Sequence, residues 1–221
     1  MTKKSVLIAL VLAAFVSTGA FAQGPGISLG VGFNAALDAF GGVNASVPLL
    51  AVDESMETFK FFASGFAFID TRFVELSLGI GSGDFNVWLN AIDDNFLLDI
   101  LVFDVGLTLK WPFELGRVTL FPLFGINYRA VLAANDHPSN NVELEIDEPS
   151  DFSSWAFRLG GGLDFSLTER VFLRSDLSFY LSPANRFERD VADLLNAIPL
   201  VSASTQAGVG GNFRLALGFR L

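Results

Sequence analysis

The chain has no cysteine, which excludes a disulfide framework, a thiolate metal site and a cysteine nucleophile. It has one histidine, His137, beside Pro138 in a stretch crowded with carboxylates. A solvated loop histidine is the plain reading, and no arrangement of Ser, His and Asp suited to hydrolysis stands out. Lysine and arginine number 14 against 24 aspartate and glutamate, for a formal net charge of −10. That balance excludes nucleic acid as a partner, because phosphates demand a basic surface. It also disfavours tight contact with anionic lipid headgroups unless divalent cations intervene. Beyond the N-terminus no stretch approaches the ~20 consecutive apolar residues of a membrane-spanning helix.

The N-terminus reads as an export signal. Lys3 and Lys4 precede an uninterrupted apolar run from Val6 to Val16, and Ala20-Phe21-Ala22 fits the small-x-small cleavage rule. The run is too short to cross a ~30 Å hydrocarbon core. Residues 1–22 are therefore expected to be a cleaved signal, with one domain over residues 23–221 that begins at Gln23. No cysteine follows the cleavage point, so a lipoprotein anchor is excluded.

What is abundant is dispersed apolarity: 51% of residues are hydrophobic, with 24 Phe against two Met. The terminal segment shows its arrangement best. Phe213, Leu215, Leu217, Phe219 and Leu221 alternate with Asn212, Arg214, Ala216, Gly218 and Arg220, the signature of a strand with one apolar face. Seven more segments alternate similarly, at about 27–37, 59–69, 73–82, 98–111, 118–132, 155–167 and 171–181. The second carries apolar residues on both faces; Ala63, Gly65 and Ala67 suit a crowded interior, which would turn Phe62, Phe66 and Phe68 outward. Gly160 to Gly162 lie within a strand pattern without phosphate-loop context and read as relief of interior crowding.

Connections near residues 70–72, 112–116 and 168–170 are tight, whereas those at about 38–58, 83–97, 133–154 and 182–206 are long. Alternating short and long connections are what an up-and-down barrel in an outer membrane requires: short periplasmic turns and long extracellular loops. The expected fold is all-β, an eight-stranded antiparallel up-and-down transmembrane β-barrel. Trp111, Phe113 and Phe219 would form one interfacial girdle, and Trp155 with Tyr128 or Phe179 the other.

The cleavage signal, the alternating hairpins and the final Phe213-Arg214-Leu215-Ala216-Leu217-Gly218-Phe219-Arg220-Leu221 resemble small outer-membrane barrels of the eight-stranded OmpW/OmpX-like group, including spirochaete relatives. The resemblance spans the whole mature chain and is one of pattern. It implies a cell-outer-membrane address, outer-membrane lipid as surroundings, and a terminal strand (Phe213, Leu215, Leu217, Phe219, Leu221) read by the barrel-assembly machinery. It also implies an apolar vestibule for hydrophobic solutes. Such barrels usually end in an aromatic residue; here Leu221 is last and Phe219 lies two before it.

Chemistry in such a chain lies inside the barrel. The charged residues expected to point inward are Glu75, Asp104, Lys110, Arg129, Arg158, Asp164, Arg174, Asp176 and Arg214, with Arg220 near the end. Buried charges need partners, so the first reading is a mutually paired lumen network. The alternative is a selectivity surface lining a narrow water path. Phe121, Leu123 and Phe172 would point inward near the short turns and block the lumen. Asp136, Glu143, Glu145, Asp147, Glu148 and Asp151 make one long loop acidic, to be read as solvated or as binding divalent ions. Phe85, Trp88, Leu89 and Ile92, and again Phe187, Val191, Leu194, Leu195 and Ile198, have helical spacing. Asn185 and Glu188 before the second set resemble a capping box. Each set would make an amphipathic helix capping the mouth or resting on lipid. The expected protein is a monomeric, non-enzymatic envelope barrel with a structural or surface-interaction role and limited solute passage. A narrow porin-like channel is the alternative and an outer-membrane enzyme the remote one. No cofactor or metal is expected, and an extracellular ligand stays unidentified.

Overall fold

The computed structural model describes residues 26–47, 52–89, 94–136 and 148–221. The expected signal, His137, Ile92, Glu143, Glu145 and Asp147 lie outside them. Alternation of the kind read above becomes strands β1 (Ser28–Val47), β2 (Val52–Asp70), β3 (Val74–Leu89), β4 (Asp94–Lys110), β5 (Phe113–Leu115), β6 (Val118–Asp136), β7 (Ser154–Ser166), β8 (Val171–Ser182), β9 (Ser202–Gln206) and β10 (Gly208–Arg220). Among the described residues these strands are joined by one helix, α1 (Arg186–Asn196), and a 3₁₀ turn at Pro149–Phe152.

Eight of these strands close a ring in the order β1-β2-β3-β4-β6-β7-β8-β10, with β10 returning to pair β1. Every pairing is antiparallel, so the fold is the up-and-down barrel that the sequence predicts. Closure leaves no free edge around the ring, which lipid requires because it offers no hydrogen bonds to bare backbone. β5 pairs with the start of β6 at a tight turn, where Gly116 takes a positive φ of 67°. β9 continues the line of β10 along β1.

The outer surface is a band of exposed apolar side chains, among them Val31, Phe33, Ile80, Leu109, Phe124, Leu159, Leu177 and Phe179. On β10, Phe213, Leu215, Leu217 and Phe219 lie on that band, and Leu221 just beyond is also exposed. Phe73 and Trp111 pair at the short-turn end with ring centroids 6.0 Å apart. Tyr128 and Trp155 pair farther up the wall at 4.7 Å.

Several expectations need correction. The intervals 38–58 and 83–97 are largely strand: β1 has 20 residues and β2 has 19. At a rise of ~3.3 Å per residue and a tilt near 40°, such strands stand ~50 Å along the axis, about twice the ~25 Å apolar band of a membrane barrel. The wall formed by β1 to β4 and β6 therefore rises well above the side formed by β7 and β8. Two bulges explain why alternation faded. Between Asp38 and Gly41 β1 carries one more residue than β2, and β6 carries one more than β4 opposite Leu101 and Val102. An extra residue reverses which parity points inward. After even-numbered Ala36 and Asp38, Gly41, Gly42 and Val43 are all buried, and the inward side chain is that of odd-numbered Val43. Gly42 sits at this kink with φ of 143°, and a Cβ there would meet the Met56 carbonyl oxygen at 1.9 Å.

Phe85, Trp88 and Leu89 do not form a helix; they end β3, with Phe85 buried in the lumen and Trp88 exposed outside. A spacing of three fits a helix face but also places two strand residues on opposite faces. Phe62, Phe66 and Phe68 point inward, not outward, and are buried. Lys60, Ser64 and Asp70 share their parity and require the interior, so Phe59, Phe61 and Ile69 are exposed on the outer face instead. The inward rings stand over small neighbours. Phe66 pairs with Gly32 and Gly79, and a Cβ at Gly30 would lie 2.3 Å from the Phe68 ring.

Candidate functional site

The lumen gathers the charged residues of every strand in the ring. Nearest the short turns, Arg174 of β8 is the hub. Its guanidinium forks onto Asp164 of β7 through Nε and Nη2 at 2.7 and 2.6 Å. It also donates to Asp70 Oδ2 of β2 at 2.6 Å and to Glu75 Oε2 of β3. Lys110 of β4 donates to the same Asp70 oxygen at 2.6 Å and lies 3.8 Å from Glu75. The other oxygen of Glu75 accepts from Arg214 of β10. Arg214 in turn lies 3.4 Å from Asp176 of β8, which accepts from Arg158 of β7 at 3.1 Å. Thus Asp70, Glu75, Asp164 and Asp176 meet Lys110, Arg158, Arg174 and Arg214, all nearly inaccessible to solvent. Four charges of each sign balance, which makes burial tolerable.

A separate pair stands higher: Arg129 Nε of β6 donates to Asp104 Oδ1 of β4 at 2.9 Å. Above it the section turns apolar. Phe62, Phe85, Val87, Leu98, Ile100, Val102, Val131 and Phe152 pack together inside the wall. Phe187 of α1 closes over them, 4.9 Å from Phe152 and 6.4 Å from Phe85 between ring centroids.

The inward phenylalanines face cations. Arg129 lies 3.8 Å from the centre of Phe62, Arg214 4.3 Å from Phe66, and Arg174 4.7 Å from Phe68. Lys60 is 4.8 Å from Phe85 and Lys110 4.9 Å from Phe121. Ring quadrupoles attract cations most where water is excluded. This arrangement accounts for large aromatic rings on the interior of β2.

Helix α1 is positioned by its own sequence. Asn185 accepts from the Glu188 backbone N–H at 2.8 Å, and Glu188 Oε2 accepts from the Asn185 N–H at 2.9 Å, a capping box. Glu188 Oε1 faces the lumen, where Thr58 Oγ1 donates to it at 3.0 Å and Lys60 Nζ at 3.4 Å. The helix therefore plugs the tall end of the barrel with a buried carboxylate. Its apolar stripe is only partly covered: Phe187 packs inward, while Leu194 and Ile198 are exposed. On the surface Arg186 meets Glu148 at 3.5 Å and Asp151 at 3.2 Å.

All nine charged residues expected inside are there, and the structure joins seven of them in one network, leaving Asp104 and Arg129 as a pair. Asp70, Lys60 and Glu188 were not anticipated. Asp70 read as a turn residue, yet it has the inward parity of Ser64, and so does Lys60. The capping box marked Glu188 as a helix residue without revealing its second partner. Arg220 reaches the short-turn rim, donating to Ser166 Oγ at 3.0 Å. There a recess of about 400 Å³ opens, lined in part by Asp70, Lys110, Phe121 and Asp164.

A family model described as "Outer membrane protein beta-barrel domain" matches residues 7–185. Among curated proteins none matches the chain. Of solved structures, the outer membrane protein OprG from Pseudomonas aeruginosa is similar at 12% identity and a TM-score of 0.50, over 90% of this chain and 97% of its own. Neisserial surface protein A is similar at 11% identity and a TM-score of 0.38, over 86% and 97%. At such identities the likeness to OprG concerns the fold.

Proposed function

The chain belongs to the outer membrane protein β-barrel domain family, and on that premise we propose that this integral outer-membrane barrel is a closed envelope protein rather than an open pore or an enzyme. The observation that carries the reading is the four-to-four ionic network across the lumen, under an apolar section sealed by Phe152 and Phe187. Eight strands leave an interior just wide enough for side chains to fill, and here they fill it. The role left to such a barrel is on its surfaces. Its exterior binds outer-membrane lipid, its terminal strand is read by the assembly machinery, and its tall wall of β1 to β4 carries the chain away from the membrane as a monomeric surface structure.

Planar-bilayer recording of the purified, refolded protein tests this. A closed barrel gives little conductance at moderate voltage. Steady, well-resolved unitary currents would overturn the reading in favour of a narrow channel, and hydrolysis of lipid by the purified protein would favour an enzyme.

A further inference from the structure

The buried charges among the described residues pair off, with one remaining. The network near the short turns holds four acids and four bases, Asp104 holds Arg129, and Glu188 holds Lys60. Asp38 of β1 is left over. It is 3% exposed, and neither carboxylate oxygen has a hydrogen-bond partner. The groups facing it are Lys60, Arg129, Glu188 and Ser182. Both cations are already committed to other carboxylates and lie against the rings of Phe85 and Phe62. Glu188 adds a like charge.

Hydroxyl groups of β8 also stand beside Asp38. Asp38 follows the inward parity of β1 immediately before the bulge, and its carboxylate leans over Gly208, where a Cβ would lie 2.5 Å from Oδ1. Gly208 is the register partner of Ser182, and Gly210, the partner of Asp38, pairs with Tyr180. The Ser182 and Tyr180 hydroxyls are buried and neither makes a hydrogen bond of good geometry, although Arg129 stands close beside the Tyr180 oxygen. Ser182 faces the carboxylate without a bond of good geometry, and a hydroxyl would not in any case neutralise the charge. A carboxylate this deep without a counter-charge is strongly unfavourable.

We propose that Asp38, with the hydroxyls of Ser182 and Tyr180, forms a site for one monovalent cation, such as sodium or potassium, held in the upper lumen. One positive charge completes the balance, whereas a divalent ion would leave an excess of the other sign. The site lies where β8 ends and β10 begins, close to the Glu188 that α1 inserts.

The test is thermal unfolding of the full-length protein in detergent micelles, followed by loss of β-sheet circular dichroism at constant ionic strength. Sodium or potassium chloride replaces the chloride of N-methylglucamine, a cation too large for the site. The midpoint of the unaltered protein should climb by roughly 3–5 °C per tenfold increase in sodium once the site is half filled. Asp38→Asn should abolish that dependence, and Ser182→Ala should shift it to higher sodium. Identical midpoints in both salts would overturn the proposal, as would a sodium response that survives Asp38→Asn, or stabilisation by calcium alone. A sodium-independent midpoint that rises only on acidification would assign the missing charge to a proton and overturn it equally. Should Asp38→Asn not assemble, the unaltered protein and Ser182→Ala still decide the matter.

Discussion

Glu188 and Lys60 are 128 residues apart in sequence, yet the Glu188 carboxylate that caps its own helix also reaches the Lys60 ammonium inside the barrel. One oxygen serves local structure and the other serves tertiary structure. The position of α1 over the mouth is thereby coupled to the integrity of its first turn.

Glu188→Ala should release the plug before it harms the barrel. It removes the capping-box acceptor, worth about 0.5–2 kcal/mol by analogy with cap deletions, and leaves Lys60 buried without its partner. Limited proteolysis on intact cells should then cut between residues 186 and 200 at a clearly higher rate. The heat-modified gel shift of the barrel itself should persist. Unchanged proteolysis would show that α1 is held by its apolar contacts alone.

Arg174→Ala should be far costlier. It strips a shared donor from Asp70, Glu75 and Asp164 at once, and breaking a buried ion pair from one side costs roughly 3–5 kcal/mol. The gel-shift transition temperature should fall. If Arg174 lined open water instead, stability would barely change while ion selectivity moved toward cations.

Gly218→Ala should destabilise through the aromatic ring beneath it. Its Cβ would fall 2.1 Å from a carbon of Phe172, and overpacking of this kind costs about 1–3 kcal/mol. Combining it with Phe172→Leu should return part of the loss even though the Phe172 contact with Arg174 goes as well. A double-mutant cycle showing simple additivity would mean that the ring moves aside freely.

Topology and the lipid face can be read together. A cysteine at Asp193, exposed on α1, should react with an impermeant thiol reagent on intact cells, whereas one at Thr168 in a tight turn should not. Leu217→Arg on the outer face of β10 should cost about 2–4 kcal/mol if it lies near the bilayer midplane, with Leu217→Phe tolerated. Equal tolerance of both would mean that this face never meets lipid.

The sequence alone determined the architecture, because the alternation of strand side chains is a local property of the backbone. On seven of the eight wall strands it assigned lipid and lumen faces, and the lengths of the tight turns brought consecutive strands together as antiparallel neighbours. On β2 it was misled, since Phe62, Phe66 and Phe68 resemble lipid-facing residues by composition and only the neighbouring cations make the interior favourable for them. It also lost the strands at both bulges, where one added residue reverses the parity by which they were being followed. Which charges pair was decided by tertiary structure alone. Arg174 and Glu75 stand on β8 and β3, 99 residues apart, and they meet only because closure and stagger of the ring bring them to one level of the lumen. No period in the sequence encodes that level. Asp38 is the clearest case: in sequence it opens what reads as a long connection, and its place inside the barrel and its lack of a partner emerge only when β1 is followed to its bulge and every other buried charge has found a partner.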